Sequence, residues 1–233
     1  QYHGRQEAGW VSVVGGTLGL VNSMVRMVEA HQGTVLTNKF VTGLVIENGR
    51  CVGAKTAGGE VFMAKHGVVS SMHILQLAKM NPVELGAVYV EAARMLTPLF
   101  TDMLFCVHYA LNEAPRWKVG KERLTCSAVQ VIDNLEGRIK QANASMEGRL
   151  YDGLPFIQVF NPTLVDPSRA PDGKHILKLE VLAPYKLKGG AQRWDEIKRP
   201  YADQLLKWIR PYAENLGDKN ILARRIATPL DIE

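Results

Sequence analysis

The dipeptide Asn48-Gly49 constrains this chain more than any other feature. It lies between an apolar run, Phe40 to Glu47, and a second run, Cys51 to Thr56, both rich in β-branched or small residues. Both central positions of a type I′ turn need positive φ, which Asn and Gly tolerate, so the flanking runs are expected to pair as a hairpin. Gly58-Gly59 turns the chain again into Val61 to Ala64, which makes a three-stranded meander. Val35 with Thr37, and Val68-Val69, read as short strands beside it. Upstream the hydrophobic period is helical: Leu18, Val21, Val25 and Val28 share one face. Thr17 is the expected N-cap of that helix, and Gly33 the left-handed residue that ends it.

Beyond Ser71 the pattern predicts helices over Ile74 to Met80 and Pro82 to Leu96, with Pro98 breaking the second. Met103 to Ala110, Ala128 to Ile132, Phe156 to Phe160, Lys174 to Ala183 and Ile221 to Ala227 read as strands, and Glu136 to Met146 as a helix. Leu177, Leu179 and Val181 alternate with Lys178 and Glu180, which implies a sheet with one covered and one partly wet face. Trp194, Ile197, Tyr201, Leu205, Trp208 and Tyr212 form an aromatic stripe on one helix. Its expected work is to cover the sheet built from Leu104, Val159 and Leu179, with Arg210-Pro211 bending its end. These elements predict an α+β fold: a β-meander unit, then a mixed or antiparallel sheet covered by helices.

Composition excludes several classes. A 46% hydrophobic, 22% charged chain is globular, and its net charge of +5 is scattered without aromatic-basic interleaving, so nucleic-acid binding is not expected. Three cysteines without a Cys-x-x-Cys pair argue against a disulfide framework or a zinc site, and for an intracellular setting, cytoplasmic or organellar matrix. The six histidines show no metal-ligand spacing. No apolar run is long enough for a transmembrane segment. The chain opens on Gln1 to Glu7 and closes on Asp231-Ile232-Glu233, inside apparent structure, which is the pattern expected of a piece of a longer protein.

Two stretches carry a family resemblance. The first is Gly15-Gly16, the helix, then Val45-Ile46-Glu47-Asn48-Gly49-Arg50-Cys51-Val52-Gly53 and Val68-Val69-Ser70-Ser71. The second runs from Asp166-Pro167-Ser168-Arg169 through Ala183-Pro184-Tyr185, Gly189-Gly190, Trp194-Asp195 and Tyr201-Ala202-Asp203 to Thr228-Pro229-Leu230-Asp231. In this order they resemble the middle of the phytoene desaturase-like FAD-dependent oxidoreductases, in particular the soluble pyridine-nucleotide-disulfide-oxidoreductase-domain type. The resemblance implies part of an α/β FAD/NAD(P)-binding-type fold, with residues 1–81 a remnant of the FAD-binding domain and residues 82–233 a substrate-binding domain. It also implies that FAD carries the redox chemistry while the protein orients a hydrophobic small-molecule substrate.

The family's Gly-x-Gly-x-x-Gly unit is not found in this sequence, and the spacing of Gly15-Gly16-Thr17-Leu18-Gly19 departs from it. The FAD-binding segments that the resemblance implies are therefore expected either on ends of the same protein beyond this sequence or on a companion chain carrying that Rossmann motif. By resemblance Val41 contacts the adenine through its backbone N–H and C=O, and Ser70, Ser71 and Met72 return close to the cofactor. Read from the residues alone, Val41 is a core strand valine and Ser71 caps the following helix. Phe105, Val107, Tyr109, Phe156, Gln158 and Phe160, taken as the inward face of the sheet, are the expected substrate contacts. No nucleophile, triad or metal motif marks a catalytic residue. Two classes stay open: the central part of an FAD-dependent dehydrogenase or desaturase, and a non-catalytic binding module on the same fold.

Overall fold

The computed structural model describes residues 13–96, 102–119, 122–124 and 127–232. Gln1 to Glu7, Pro98 and Cys126 lie outside them. In chain order the elements are α1 (Thr17–Ala30), β1 (Val41–Glu47), β2 (Arg50–Thr56), β3 (Val61–Met63), α2 (Ile74–Met80), α3 (Pro82–Leu85), α4 (Ala87–Leu96), β4 (Asp102–Leu111), β5 (Trp117–Val119), β6 (Glu122–Leu124) and β7 (Ala128–Val131). There follow α5 (Leu135–Met146), β8 (Ile157–Phe160), β9 (His175–Pro184), α6 (Trp194–Ile209), β10 (Ile221–Ala227) and α7 (Pro229–Ile232). The fold is α+β. The described residues divide into a smaller compact unit, 25–96, and a larger one of 13–24 with 102–232, so the division falls inside α1. By this division α3 and α4 group with the meander as α2 does, whereas the sequence reading set a boundary at residue 81.

In the smaller unit β1, β2 and β3 pair antiparallel in that order, and the turn between β1 and β2 has Asn48 at φ 50° and Gly49 at φ 75°. Gly53 is glycine for closeness: a Cβ there would stand 2.5 Å from the Phe62 carbonyl oxygen of β3. At the end of α1 the left-handed residue is Gln32 (φ 62°), not Gly33. Gly33 has a different constraint, since its N–H donates to the Val28 carbonyl at 2.9 Å and a Cβ would meet Val28 at 2.6 Å. Thr17 is the first helical residue rather than the cap.

Residues 34–40 and 64–73 form no strand, although Val35 and Val69 were expected in strands. Val69 is 99% exposed and belongs to no sheet of the described residues. Pro82 to Leu96 is two helices because Gly86 takes φ 81° between them.

The larger unit is built on a five-stranded antiparallel sheet in the order β10-β4-β9-β8-β7. Side chains of odd-numbered residues, Phe105, Val107, Tyr109, Leu111, Ile157, Val159, Leu177, Leu179 and Val181, are buried in one core with Trp194, Leu205 and Ile209 of α6. The Trp194 ring stacks on Phe105 with centroids 5.2 Å apart, and Tyr201 meets Phe105 edge-on at 4.9 Å. The aromatic stripe is therefore core. Tyr212, at its far end, is exposed, because α6 passes into a 3-10 turn at Arg210-Pro211. Leu104 was expected beneath α6, yet it points to the opposite face and is exposed, as alternation along β4 from the buried Phe105 requires. A two-stranded hairpin, β5 with β6, was not anticipated; buried Trp117 bridges from it to Ala213.

Candidate functional site

Two cavities, one in each unit, collect the residues of interest. In the smaller unit a cavity of about 650 Å³ is lined by Lys39, Phe40, Val41 and Thr42 at the entry to β1 and by Met72, Gln76, Lys79 and Met80 at and along α2. Asn81, the residue after α2, holds these walls together. Its Oδ1 accepts from the Leu44 N–H of β1 at 2.8 Å, while its backbone N–H closes α2 on the Leu77 carbonyl. The side chain that caps α2 is His73, whose Nδ1 accepts from the Leu75 N–H at 3.3 Å; Ser71 was expected there. Ser70 instead makes a local turn, its hydroxyl accepting from the Met72 N–H at 3.2 Å. Val41 and Met72 therefore come together on one cavity, and Ser70 supports the backbone of Met72 without lining it. Ser71 is solvent-exposed in the same connection.

In the larger unit the sheet has a second face, away from α6. The pairing registers put Phe160, Lys178, His108 and Arg225 in one row across four strands, and Gln158, Glu180 and Cys106 in the next. A cavity of about 550 Å³ stands over this face, with Phe160, Ile176 and Pro162 as apolar walls and His108, Lys178, Glu180, Asp166 and Arg169 as polar ones. Lys178 and Glu180 form an ion pair along β9. Burial, and then the nearby Lys178 charge, hold His108 below the ordinary histidine range, so its imidazole is neutral near pH 7. Burial pushes the Cys106 thiol up, which keeps it protonated and unreactive.

Asp166 shapes the rim of this cavity. Its Oδ2 accepts from the Gly15 N–H at 2.7 Å and its Oδ1 from the Ser168 hydroxyl at 2.6 Å, so it pins the Gly15-Gly16 turn to the loop after β8. Gly15 and Gly16 take φ 75° and 96°, and the Arg169 guanidinium lies against Gly16. The Ser168 bond, followed by that of Gly15, lowers the Asp166 carboxyl below its usual range. A depressed carboxylate pKa contributes stability that is present above the ordinary range and is lost as pH falls through the lowered value. The Gly15 amide is expected to be protected from hydrogen exchange at neutral pH and to lose protection once pH falls well below about 4. In Asp166→Ala it should exchange freely at all pH values; protection there would show that the carboxylate does not hold the turn.

The six substrate contacts expected from the sequence do not share a face. Phe105, Val107 and Tyr109 are at most 1% exposed and pack under α6. Gln158 and Phe160 belong to the other face, where Phe160 lines the cavity. Phe156 precedes β8, with Arg138 of α5 stacked 4.8 Å over its ring and its N–H bonded to Gln141. Sequence reasoning missed Lys178, Glu180 and His108 as neighbours. Their signal was the charged residues alternating within the Leu177 to Val181 run, which was read only as a wet face.

No family model matches the chain. It is 26% identical over 238 residues to pyridine nucleotide-disulfide oxidoreductase domain-containing protein 2 of Rattus norvegicus, covering 97% of this chain and 40% of that protein. It is 27% identical over 138 residues to a limonene dehydrogenase subunit of Castellaniella defragrans, covering 56% of this chain and 24% of that one. With a neurosporene-forming phytoene desaturase of Cereibacter sphaeroides it shares 20% identity over 229 residues, 92% of this chain and 40% of that protein. A crystal structure of an oxidoreductase from Methanosarcina mazei has the same fold, with a TM-score of 0.59 and 16% identity over 91% of this chain and 42% of that one. The chain thus spans about 40% of the length of the relatives it matches along most of its own length. The chain is thus similar in sequence to proteins named as oxidoreductases and desaturases, and similar in fold to a solved oxidoreductase.

Proposed function

We propose that this chain is the central, substrate-binding portion of an FAD-dependent oxidoreductase of dehydrogenase or desaturase type, and that it is inactive without FAD-binding segments, which lie either on another part of the same protein or on a companion polypeptide. The observation that carries the reading is the pairing of Val41 and Met72, distant in sequence, on one cavity of the smaller unit. The residues there fit the adenosine end of FAD: Phe40, Met72 and Met80 offer apolar walls to a flat purine, and Lys79 offers a cation to a phosphate, while Lys39 is paired with Glu60 at 2.6 Å. When bound, FAD would supply the hydride-accepting chemistry. The chain's own residues bind and orient. On the open face of the larger sheet, Phe160, Ile176 and Pro162 would hold a hydrophobic organic substrate, with Gln158 beside them. Phe105, Val107 and Tyr109 would support that wall from the core beneath it.

Exposed apolar side chains suit those segments. No residue of α1 is buried, and Leu18, Val21, Met24 and Met27 are each more than half exposed. A Rossmann βαβ half of the family type would cover such a face. The purified chain is expected to show no stoichiometric flavin absorbance and no turnover, yet to bind ADP weakly and saturably in titration calorimetry. Addition of a polypeptide carrying the Gly-x-Gly-x-x-Gly unit should restore the flavin spectrum. Stoichiometric flavin held by the chain alone would overturn the need for those segments, and absence of any ADP binding would overturn the cavity assignment. A complex that stays colourless with the companion present would favour the non-catalytic module.

A further inference from the structure

The cavity over the open face of the larger sheet contains a histidine to which an apolar substrate alone would give no work. His108 of β4 lies directly across from Lys178 of β9 on one side and from Arg225 of β10 on the other. Among the described residues its contacts with these neighbours are through charge, and neither ring nitrogen takes part in a hydrogen bond. Burial and the two flanking cations oppose a further positive charge, and Glu180, which acts the other way, does not outweigh them. The ring is therefore neutral near pH 7, and a neutral imidazole keeps one nitrogen as an acceptor.

The charges around the ring select the kind of ligand that can join it. The lining has two carboxylates, Asp166 and Glu180, and two cations, Arg169 and Lys178, so the signs match in number. Glu180 is tied to Lys178, and Asp166 accepts from the Gly15 N–H and the Ser168 hydroxyl. A carboxylate entering here meets two carboxylates and an ammonium meets two cations, and neither finds an unmatched countercharge. A bare hydrocarbon strands the His108 acceptor and the Lys178 N–H groups that Glu180 does not use, and polar groups covered without partners are costly. A hydroxyl answers both, because it donates once and accepts as well. Directly opposed residues of an antiparallel pair have Cβ atoms roughly 4.5–5.5 Å apart, so one oxygen can serve both side chains.

We propose that the molecule bound on this face is a hydrophobic alcohol, its hydroxyl donating to a His108 ring nitrogen and accepting from Lys178, its hydrocarbon against Phe160, Pro162 and Ile176. The inference rests on the reading of this cavity as the substrate site and names the substrate's polar group. Octan-1-ol is titrated into the purified chain by calorimetry, beside dibutyl ether, which has as many carbons but only accepts, and octanoate, which is charged. The alcohol is expected to bind saturably and about fivefold more tightly than the ether, with octanoate weaker than the alcohol. His108→Leu should bring the alcohol to the ether's level and leave the ether unchanged, and His108→Gln, which restores an acceptor, should recover part of the difference. The parent gives a readout that needs no variant. As pH falls below about 6 and the ring gains its proton, the acceptor is lost, so alcohol affinity should fall while ether affinity stays level. Equal affinity for alcohol and ether in the parent, or a parent-like alcohol affinity in folded His108→Leu, overturns the proposal and leaves an apolar substrate cavity standing. Tightest binding of octanoate overturns it in favour of an anion site. Failure of all three to bind overturns the reading of the cavity as a substrate site, and this inference with it.

Discussion

Replacing Trp194 with alanine is expected to remove about 3–5 kcal/mol from the stability of the larger unit, a large share of what a domain of this size commonly has. The indole is 0% exposed and lies against two other rings, Phe105 at 5.2 Å and Tyr201 at 6.2 Å between centroids. Truncation leaves a void where those rings met, and a packed interior relaxes into such a space only in part. It also removes a donor. Trp194 Nε1 bonds to the carbonyls of Pro184 and Tyr185 at 3.1 and 3.2 Å, which ties the first turn of α6 to the exit of β9. Trp194→Phe separates the two effects, because it retains much of the stacking and loses the N–H; a cost of about 1–3 kcal/mol is expected. Urea unfolding followed by circular dichroism reads both. A loss below about 1 kcal/mol for the alanine variant would mean that α6 is not the keystone of this core. The open face depends on the same contact, since the strands that present Phe160, His108 and Lys178 are backed by the layer that Trp194 holds.

The parts of the fold that could be read from the sequence were those set by local backbone chemistry or by strong periodicity. Asn48-Gly49 makes its turn because the two left-handed residues leave few alternatives. Alternation in Leu177 to Val181 gave the two faces of β9 correctly for the same reason that it failed on β4. In Met103 to Ala110 both faces are apolar, so Leu104 and Phe105 looked alike, and only the register with β9 and the packing of α6 tell them apart. The same ambiguity merged Phe105, Val107 and Tyr109 with Gln158 and Phe160 into one imagined wall. Caps and turn ends were lost to competition among neighbours. His73 outcompetes Ser71 because its ring nitrogen reaches the Leu75 amide, and Gln32 takes the positive φ because Gly33 must stay close to Val28. The charged residues at the candidate sites were legible as residues but not as groups, since His108 meets Lys178 and Arg225 only through long-range pairing.

Asn81→Ala is expected to loosen the smaller unit by about 1–3 kcal/mol and to open the cavity at Val41. The reason is the position of β1, which is an edge strand in the order β1-β2-β3. An edge strand leaves N–H and C=O groups without ladder partners. At Leu44 the Asn81 carboxamide takes the place of a neighbouring strand, accepting from the N–H at 2.8 Å and donating to the C=O at 3.5 Å. Asn81 is only 4% exposed, so water does not readily replace it when the side chain is cut. Because Met80 and Lys79 immediately precede it, the same change frees the cavity wall of α2 from the strand that carries Val41 and Thr42. Two readouts should move together: the Leu44 amide should lose exchange protection, and the weak ADP binding expected of the parent should fall about tenfold. Asn81→Asp should retain the bond from the Leu44 N–H while setting a carboxylate against its C=O, and so fall between parent and alanine. A Leu44 amide that remains protected in Asn81→Ala would mean that the carboxamide does not anchor the strand. A lost anchor with unchanged ADP affinity would show that nucleotide does not sit between β1 and α2.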